Sequence, residues 1–412
     1  MFTFIIQFID LAKAHEVGLF FVFFSASWAV FALKILVMIR RKPLQGINTG
    51  GRDFTGNVSV VIPIVDEPVD VWSATLMDLK AALALVDVAE VIVVANGSNA
   101  KENVRIAKKM GFKVVREPVA SKRRAIWRGA MMATGNVTII LDSDTKVERE
   151  SIKRLIRVFN DPEVGGATPR HVIWGRHANI MRRISNWLED IRFEEVVSGQ
   201  SSFGSVACLP GRMLAIRTGI LRSFCPALVH QRFMGAECIS GDDRFLTSEI
   251  LRIGMKTVFV PDAVVYTEAP DTLRVFIQQR LRWSRTSFRE SIRALRWTRF
   301  YLWMSFTTYS TIILRWFFFV VAVTAVLAWM GVIERHHAVN LPFWVIVVGT
   351  VAGFFVSGLL RQLRHLFKNP EDLKYLPAFL FVTTFILTPV EWWGNITMRE
   401  SHWMTRNTKG GE

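Results

Sequence analysis

The sequence predicts an α/β domain with a mostly parallel sheet, joined to α-helical transmembrane and interfacial segments. Three observations carry this prediction. Between Val58 and Leu141, short β-branched runs alternate with helical stretches, as βαβ units do. Several apolar runs reach the roughly 20 residues that a bilayer crossing needs. A hydrophobic content of 51% coexists with a formal net charge of +16, which fits a membrane protein with a basic cytoplasmic side. Nucleic-acid binding would also account for the charge, but the basic residues cluster beside the apolar helices, so no nucleic-acid partner is expected.

In chain order, residues 1–43 hold an apolar segment (2–12), too short to span and expected at the interface, then a span over 18–39 whose only charge is Lys34. Arg40, Arg41 and Lys42 follow it where a cleaved signal would have small residues, so the span is expected to remain as an anchor. By the positive-inside rule, the next domain, residues 52–270, is cytoplasmic at the plasma membrane. The three cysteines, Cys208, Cys225 and Cys238, lack the spacing of a zinc site and read as reduced thiols.

Within that domain the strand ends carry polar groups: Asp66 and Glu67, then Asn96, Gly97 and Ser98, then Asp142 and Asp144. Ligands of parallel sheets gather at such ends, and three in succession describe a nucleotide pocket. No glycine-rich phosphate cradle opens a helix, so a diphosphate must be neutralised by cations such as Lys122, Arg123 and Arg124 and by a metal. The run Val137–Leu141 delivers Asp142 and Asp144 one residue apart; read as a strand, it puts both on one side with Ser143 turned away. Two converging carboxylates repel, and a hard divalent ion, Mg2+ or Mn2+, is the usual resolution. The plainer alternative is an Asp-rich turn after a strand.

Gly241-Asp242-Asp243-Arg244 opens a helix running to about Arg252, where helix capping is the plainer reading of both carboxylates. Residues 271–311 are basic and amphipathic, suited to a membrane surface, with Gln279-Arg280-Leu281-Arg282-Trp283 setting Arg beside Trp. Residues 312–361 hold two spans, 314–332 and 341–360, whose loop residues Glu334, Arg335, His336 and His337 read as solvated. In residues 362–412, Pro389 and Glu391 interrupt the apolar stretch 376–397, which is therefore read as re-entrant or interfacial, keeping the tail cytoplasmic.

DSDT at 142–145, GDDR at 241–244, QRLRW at 279–283 and WMTR at 403–406, in this order among the membrane segments, resemble the processive family 2 membrane glycosyltransferases. The chain looks most like the hyaluronan synthase branch, with related capsular polysaccharide synthases close by. The resemblance implies a Rossmann-like GT-A domain that polymerises UDP-sugars into a β-linked polysaccharide and exports it through the bilayer. It implies that Glu67, Asn96, Lys122, Asp142, Asp144 and Arg282 contact the donor, with Asp144 the better metal ligand and Asp142 the second, and that Asp243 is the general base. Trp283, with Asp242, would meet the acceptor sugar, while Gln279, Trp403, Thr405 and Arg406 would gate the site over bound UDP. A carboxylate is needed because the attacking sugar hydroxyl must lose its proton as the new bond forms.

Departures from the pattern bear on the sugar. Ala95-Asn96-Gly97-Ser98 stands for DDGS, and Cys208-Leu209-Pro210-Gly211-Arg212 for CxSGP. Hyaluronan would need UDP-glucuronate with UDP-N-acetylglucosamine; a glucose donor is a further option, and Arg212 fits either an acidic sugar or simple exposure. A lipid glycosyltransferase transferring one sugar, and a non-catalytic membrane scaffold or transporter, are the alternative readings; QRLRW argues against the first and the three aspartates against the second.

Overall fold

The structure is a computed structural model and describes residues 16–49, 53–97, 100–330 and 343–401. The chain divides into two compact units, Met1–Ile39 with Ser305–Trp392, and Arg40–Met304 with Trp393–Glu412.

The second unit is built on an eight-stranded sheet. Its strands are β1 (Val58–Ile64), β2 (Val88–Asn96), β3 (Lys113–Glu117), β4 (Val137–Leu141), β5 (Lys146–Val147), β6 (Val164–Ile173), β7 (Met213–Arg217) and β10 (Lys256–Thr267), ordered β3-β2-β1-β4-β7-β6-β10-β5; β8 (Arg232–Phe233) and β9 (Ala236–Glu237) form a separate ribbon. The β3-β2-β1-β4 half is parallel, as is β6 with β10, while β7 runs antiparallel to both β4 and β6. Every residue of β1 and β4 is buried, which is why these strands read as unbroken apolar runs rather than alternating ones.

Helices cover both faces. In chain order they are α1 (Glu16–Arg40), which belongs mainly to the other unit, α2 (Val69–Leu83), α3 (Lys101–Lys109), α4 (Lys122–Met132), α5 (Ser151–Ile156), α6 (Ile180–Ile191), α7 (Thr218–Val229), α8 (Asp242–Arg252) and α9 (Leu273–Ala294). The helical spacing of Trp72, Leu76, Leu79 and Leu83 puts one face of α2 into the core with β1 and β4. On the opposite face, α4 packs Ile126 and Ala130 with Leu221 and Leu228 of α7. A π-helical turn, Arg192–Val197, continues α6, the kind of distortion that recurs at functional sites.

Two local devices fix the frame. Far from the polar strand ends, buried Glu90 accepts bonds from Ser59 Oγ, Thr134 N (2.8 Å), Thr134 Oγ1 (2.8 Å) and Lys113 Nζ (3.2 Å), tying the start of β2 to β1 and to the turn before β4. At the other end Gly241, with φ +87°, starts α8 in a left-handed conformation, and a Cβ there would lie 2.0 Å from Thr286 Cγ2 of α9. Only glycine lets the GDDR turn and α9 approach this closely.

In the first unit, the described helices are α1, α10 (Leu302–Trp329), α11 (Phe343–Lys368) and a helical run Pro370–Ile396 of mixed 3-10, α and π turns. The stretches expected to span at 314–332 and 341–360 fall largely on α10 and α11; their loop, with Glu334, Arg335, His336 and His337, lies outside the described residues, as does the segment 2–12. The helical run continues unbroken through Pro389 and Glu391. A π turn, Val382–Leu387, immediately precedes Pro389, Thr388 Oγ1 takes the Thr383 carbonyl (3.1 Å), and Glu391 is neutralised by Arg315 Nε at 2.6 Å. Among the described residues, Val22–Arg40 and Pro370–Ile396 are long and apolar enough to cross a membrane by length and composition.

Both devices make predictions. Burial alone would raise the Glu90 carboxyl, but its bonds, led by Ser59, hold it at about 2 against an ordinary 4.5. Its contribution to stability is therefore complete above pH 4.5 and fades as pH falls towards 2. Glu90→Gln should cost about 1–3 kcal/mol at neutral pH and flatten that acid limb of a denaturation-versus-pH series. Gly241→Ala should destabilise the fold by about 2–4 kcal/mol, read as a lowered Tm.

Candidate active site

The site forms where β4 and β7 end side by side. Leu141 pairs with Met213, and the ladder runs one step further, Asp142 N–H donating to the Arg212 carbonyl at 2.9 Å. β4 itself stops at Leu141. Asp142–Thr145 is a turn, closed by Thr145 N–H to the Asp142 carbonyl at 3.2 Å, so strand alternation does not aim the two carboxylates as the sequence reading had it. Ser143 is buried and does turn to separate work, its hydroxyl donating to Glu67 Oε1 at 2.8 Å. That bond brings Glu67, from the end of β1, up against the DSD turn.

Lys122 is the cation at the centre. Its ammonium lies 2.6 Å from Asp142 Oδ1 and 3.5 Å from Asp242 Oδ2, bridging the DSD and GDD carboxylates. Asn96 places it indirectly: Asn96 Oδ1 accepts Ser121 N–H at 2.8 Å, and Ser121 caps α4 through the Arg124 amide. The buried neighbour Arg123 donates to the Leu228 and Ser240 carbonyls and to Gln231 Oε1, each at 2.8 Å. Arg289 of α9 donates to the same Ser240 carbonyl at 2.9 Å, while Ser401 Oγ accepts the Ile239 amide at 2.7 Å. The loop leading into Gly241-Asp242-Asp243 is thus held by α4, by α9 and by the C-terminal segment.

Gly241 is the N-cap of α8, and Asp242 and Asp243 lie in its first turn, where the plainer reading put them and where the helix end favours negative charge. Asp243 accepts the first-turn Arg244 N–H at 2.8 Å on one oxygen and, from outside the helix, Gly211 N–H at 3.1 Å on the other. Burial and the neighbouring Asp242 push the Asp243 carboxyl above its ordinary range, against the pull of Lys122. Asp242 moves the other way: burial would raise it, but Lys122 and Arg123 hold it down. Adjacent carboxylates pushed in opposite directions divide into one that stays ionised and one able to take a proton. Cys208, whose Sγ lies 3.9 Å from Asp243 Oδ2, is pushed up to about 11 by burial and by that carboxylate, so it stays a thiol.

On α9, Gln279, Trp283 and Thr286 share the face that meets Gly241. Arg282 lies close enough for its charge to help lower Asp242. The Trp283 ring is flanked by two guanidinium groups, Arg280 at 4.9 Å and Arg212 at 5.4 Å from its centroid. Arg212 is not the exposed residue that one reading allowed; its side chain is 13% exposed and ion-paired to Glu189 at 3.3 Å. Trp403, Thr405 and Arg406 lie outside the described residues.

A divalent ion fits the donor set in one form only. Among the described residues no group of three or more His, Cys, Asp or Glu side chains could cage a metal. Asp142 is already engaged by Lys122, yet burial, with Asp144 adding, still holds its carboxyl above the ordinary range. The pair is short of positive charge, and Mg2+ or Mn2+ commonly binds through one or two carboxylates plus substrate phosphates. Asp144, with Asp142 beside it, would hold such an ion.

Sequence reasoning missed Glu189, the Arg123–Ser240–Arg289 tie and Ser401. The signal for Glu189 was there: an acidic residue on the face of α6 that also buries Met181, Ile184 and Ser185.

Comparison with known proteins accords with this geometry. Residues 56–286 match the family described as glycosyltransferase like family 2. An N-acetylglucosaminyltransferase of Azorhizobium caulinodans is 26% identical over 388 residues, covering 89% of this chain and 91% of its own length. Hyaluronan synthase 3 of Mus musculus is 28% identical over 311 residues, 72% of this chain but 52% of that protein. A mannosyltransferase from Pyrobaculum calidifontis, solved with GDP-Man and Mn2+, superposes with a TM-score of 0.63 at 17% identity over 94% of this chain and 99% of its own, a likeness of GT-A fold. With more than half of its length matched to the family, the chain belongs to glycosyltransferase family 2.

Proposed function

We propose that the protein is a processive, inverting glycosyltransferase that polymerises UDP-sugars into a β-linked, hyaluronan-like or capsular polysaccharide and passes it across the plasma membrane. The observation that carries this reading is geometric: the Lys122 ammonium joins the DSD and GDD carboxylates at 2.6 and 3.5 Å, and Gly211 N–H holds Asp243 Oδ2 beside them at 3.1 Å. The name of the Azorhizobium relative supports N-acetylglucosamine as one sugar; glucuronate or glucose as its partner follows from the sequence resemblance alone.

In the reaction, an acceptor sugar hydroxyl attacks the anomeric carbon of the donor; its proton passes to Asp243 as the carbon–oxygen bond forms, and the bond to UDP breaks on the opposite side. A single displacement inverts the carbon and needs no covalent sugar intermediate. Lys122 and Arg282 meet the negative charge that develops on the departing diphosphate. A divalent ion, when bound at Asp144, supplies further charge neutralisation there. Glu67 and Asn96 fix the turns around the nucleotide, and Trp283, braced by its two arginines, offers the acceptor an aromatic surface.

Purified full-length protein, given Mn2+ with UDP-N-acetylglucosamine alone and paired with UDP-glucuronate or UDP-glucose, should release UDP and build long polymer. Absence of UDP release with every donor refutes the enzyme reading, and products of one or two sugars point to a lipid transferase. Asp243→Asn should abolish transfer and leave UDP binding nearly intact, whereas Asp144→Asn should weaken metal-dependent UDP binding itself. Because Asp243 is raised, turnover should begin to fall on acidification at a pH above the ordinary carboxylate range.

A second test concerns topology. The segment ending at Ser401 binds the loop before the GDD motif, and Arg285 pairs with Glu400 at 2.5 Å and donates to Thr397 Oγ1 at 2.9 Å. A tag at the C-terminus should therefore be reachable only from the cytoplasmic side. Labelling in intact cells would overturn this placement.

A further inference from the structure

In the turn Gly211–Arg212 the donor and acceptor halves of the site are joined through consecutive residues. Gly211 N–H holds Asp243 Oδ2 at 3.1 Å, and the next residue's carbonyl receives Asp142 N–H at 2.9 Å. A shift of this turn moves the general base relative to the leaving-group carboxylates. The turn in turn is moored by one side chain. Arg212 reaches into the protein to Glu189 Oε1 at 3.3 Å, and Arg192 approaches Glu189 Oε2 at 3.6 Å.

Glu189 is 2% exposed, and neither of its oxygens has a hydrogen-bond partner in the described structure, so its ion pairs are what justify its charge. Burial would raise its carboxyl, yet Arg212, Arg192 and Arg280 hold it at about 2, so it is ionised wherever the enzyme works. Buried His171 beside it is pushed well below its usual range by burial and by Arg212 and stays neutral. Arg212 therefore faces a permanent negative charge on one side and the Trp283 ring on the other.

We propose that Glu189 and Arg212 act as a pair of positioning residues that fix the Gly211–Arg212 turn, and through it the distance of Asp243 from the donor carboxylates. This rests on the reading of Asp243 as the base. Neither residue needs to touch the reacting atoms; the pair sets geometry, and a displacement of about 1 Å at a reacting group costs on the order of 100-fold in rate. The fixed charge also makes the device insensitive to pH across the working range.

The test uses the full-length protein in lipid nanodiscs with Mn2+, UDP-N-acetylglucosamine and UDP-glucuronate. Glu189→Gln and the milder Arg212→Lys, which keeps the cation and is the safer of the two for folding, should each lower kcat by about 10- to 100-fold while UDP affinity stays near that of the unchanged protein. Amide exchange should speed up in peptides covering 209–213 and 241–245, a readout that needs no turnover. The double variant should be no slower than the slower single one, since both remove the same link. Unchanged exchange, unchanged kcat, UDP affinity falling in step with kcat, or additive losses in the double variant would each overturn the proposal. An Asp243→Asn control that still turns over normally indicts the base assignment instead, while the exchange data continue to judge the mooring.

Discussion

The site depends on one ammonium. Lys122 stands between a carboxylate of the DSD turn and a carboxylate of the GDD turn, at 2.6 and 3.5 Å, and without it three aspartates would crowd one another in a largely dehydrated place. The burden of the fold is to put that ammonium there and hold it. Ser121 caps α4 so that Lys122 is its first residue, the buried end of β2 supplies Asn96 to hold the cap, and Arg123 anchors the same turn of helix to the loop before Asp242. Because two carboxylates outweigh burial, Lys122 keeps its proton. Its charge helps hold Asp242 down, while burial and that neighbouring carboxylate push Asp243 up.

Antiparallel insertion of β7 is the second constraint. In an all-parallel sheet, the strand beside β4 would bring the start of its following loop to the DSD end. Here β7 runs the other way, so the residues before it, Cys208 to Arg212, arrive there instead. These residues supply the amide that binds Asp243, the thiol beside it and the guanidinium beside Trp283. The Asp243 and Trp283 side of the site is thereby made from a segment about 70 residues downstream of Asp142 and is joined to it by a backbone ladder.

Much of this was written locally in the sequence. The β-branched runs gave β1, β2 and β4, the polar residues after them gave Glu67, Asn96 and Asp142, and Gly241 with the basic helix after residue 271 marked the other side. What could not be read was whatever depends on register and long-range pairing. β7 pairs across about 75 residues, and nothing in Met213–Arg217 announces its direction. Likewise Asn96 reads as a ligand residue, yet its side-chain oxygen accepts the Ser121 amide. How a helix accommodates Pro389 and Glu391 is equally hidden from a local window, since it takes a π turn and an arginine 76 residues earlier. Glu189 shows in the sequence as an acid on the buried face of α6, a signal whose meaning depends on the three arginines around it.

The C-terminal return has a consequence for how such a chain varies. The polypeptide leaves the catalytic unit after Met304 and rejoins it at Trp393, so residues 305–392 form a detour with both ends in one body. A detour that begins and ends on one side of a bilayer crosses it an even number of times. On the membrane placement proposed above, its helices would cross in pairs or lie along the surface, and a single span fewer would carry Ser401 to the face opposite the GDD loop that it binds.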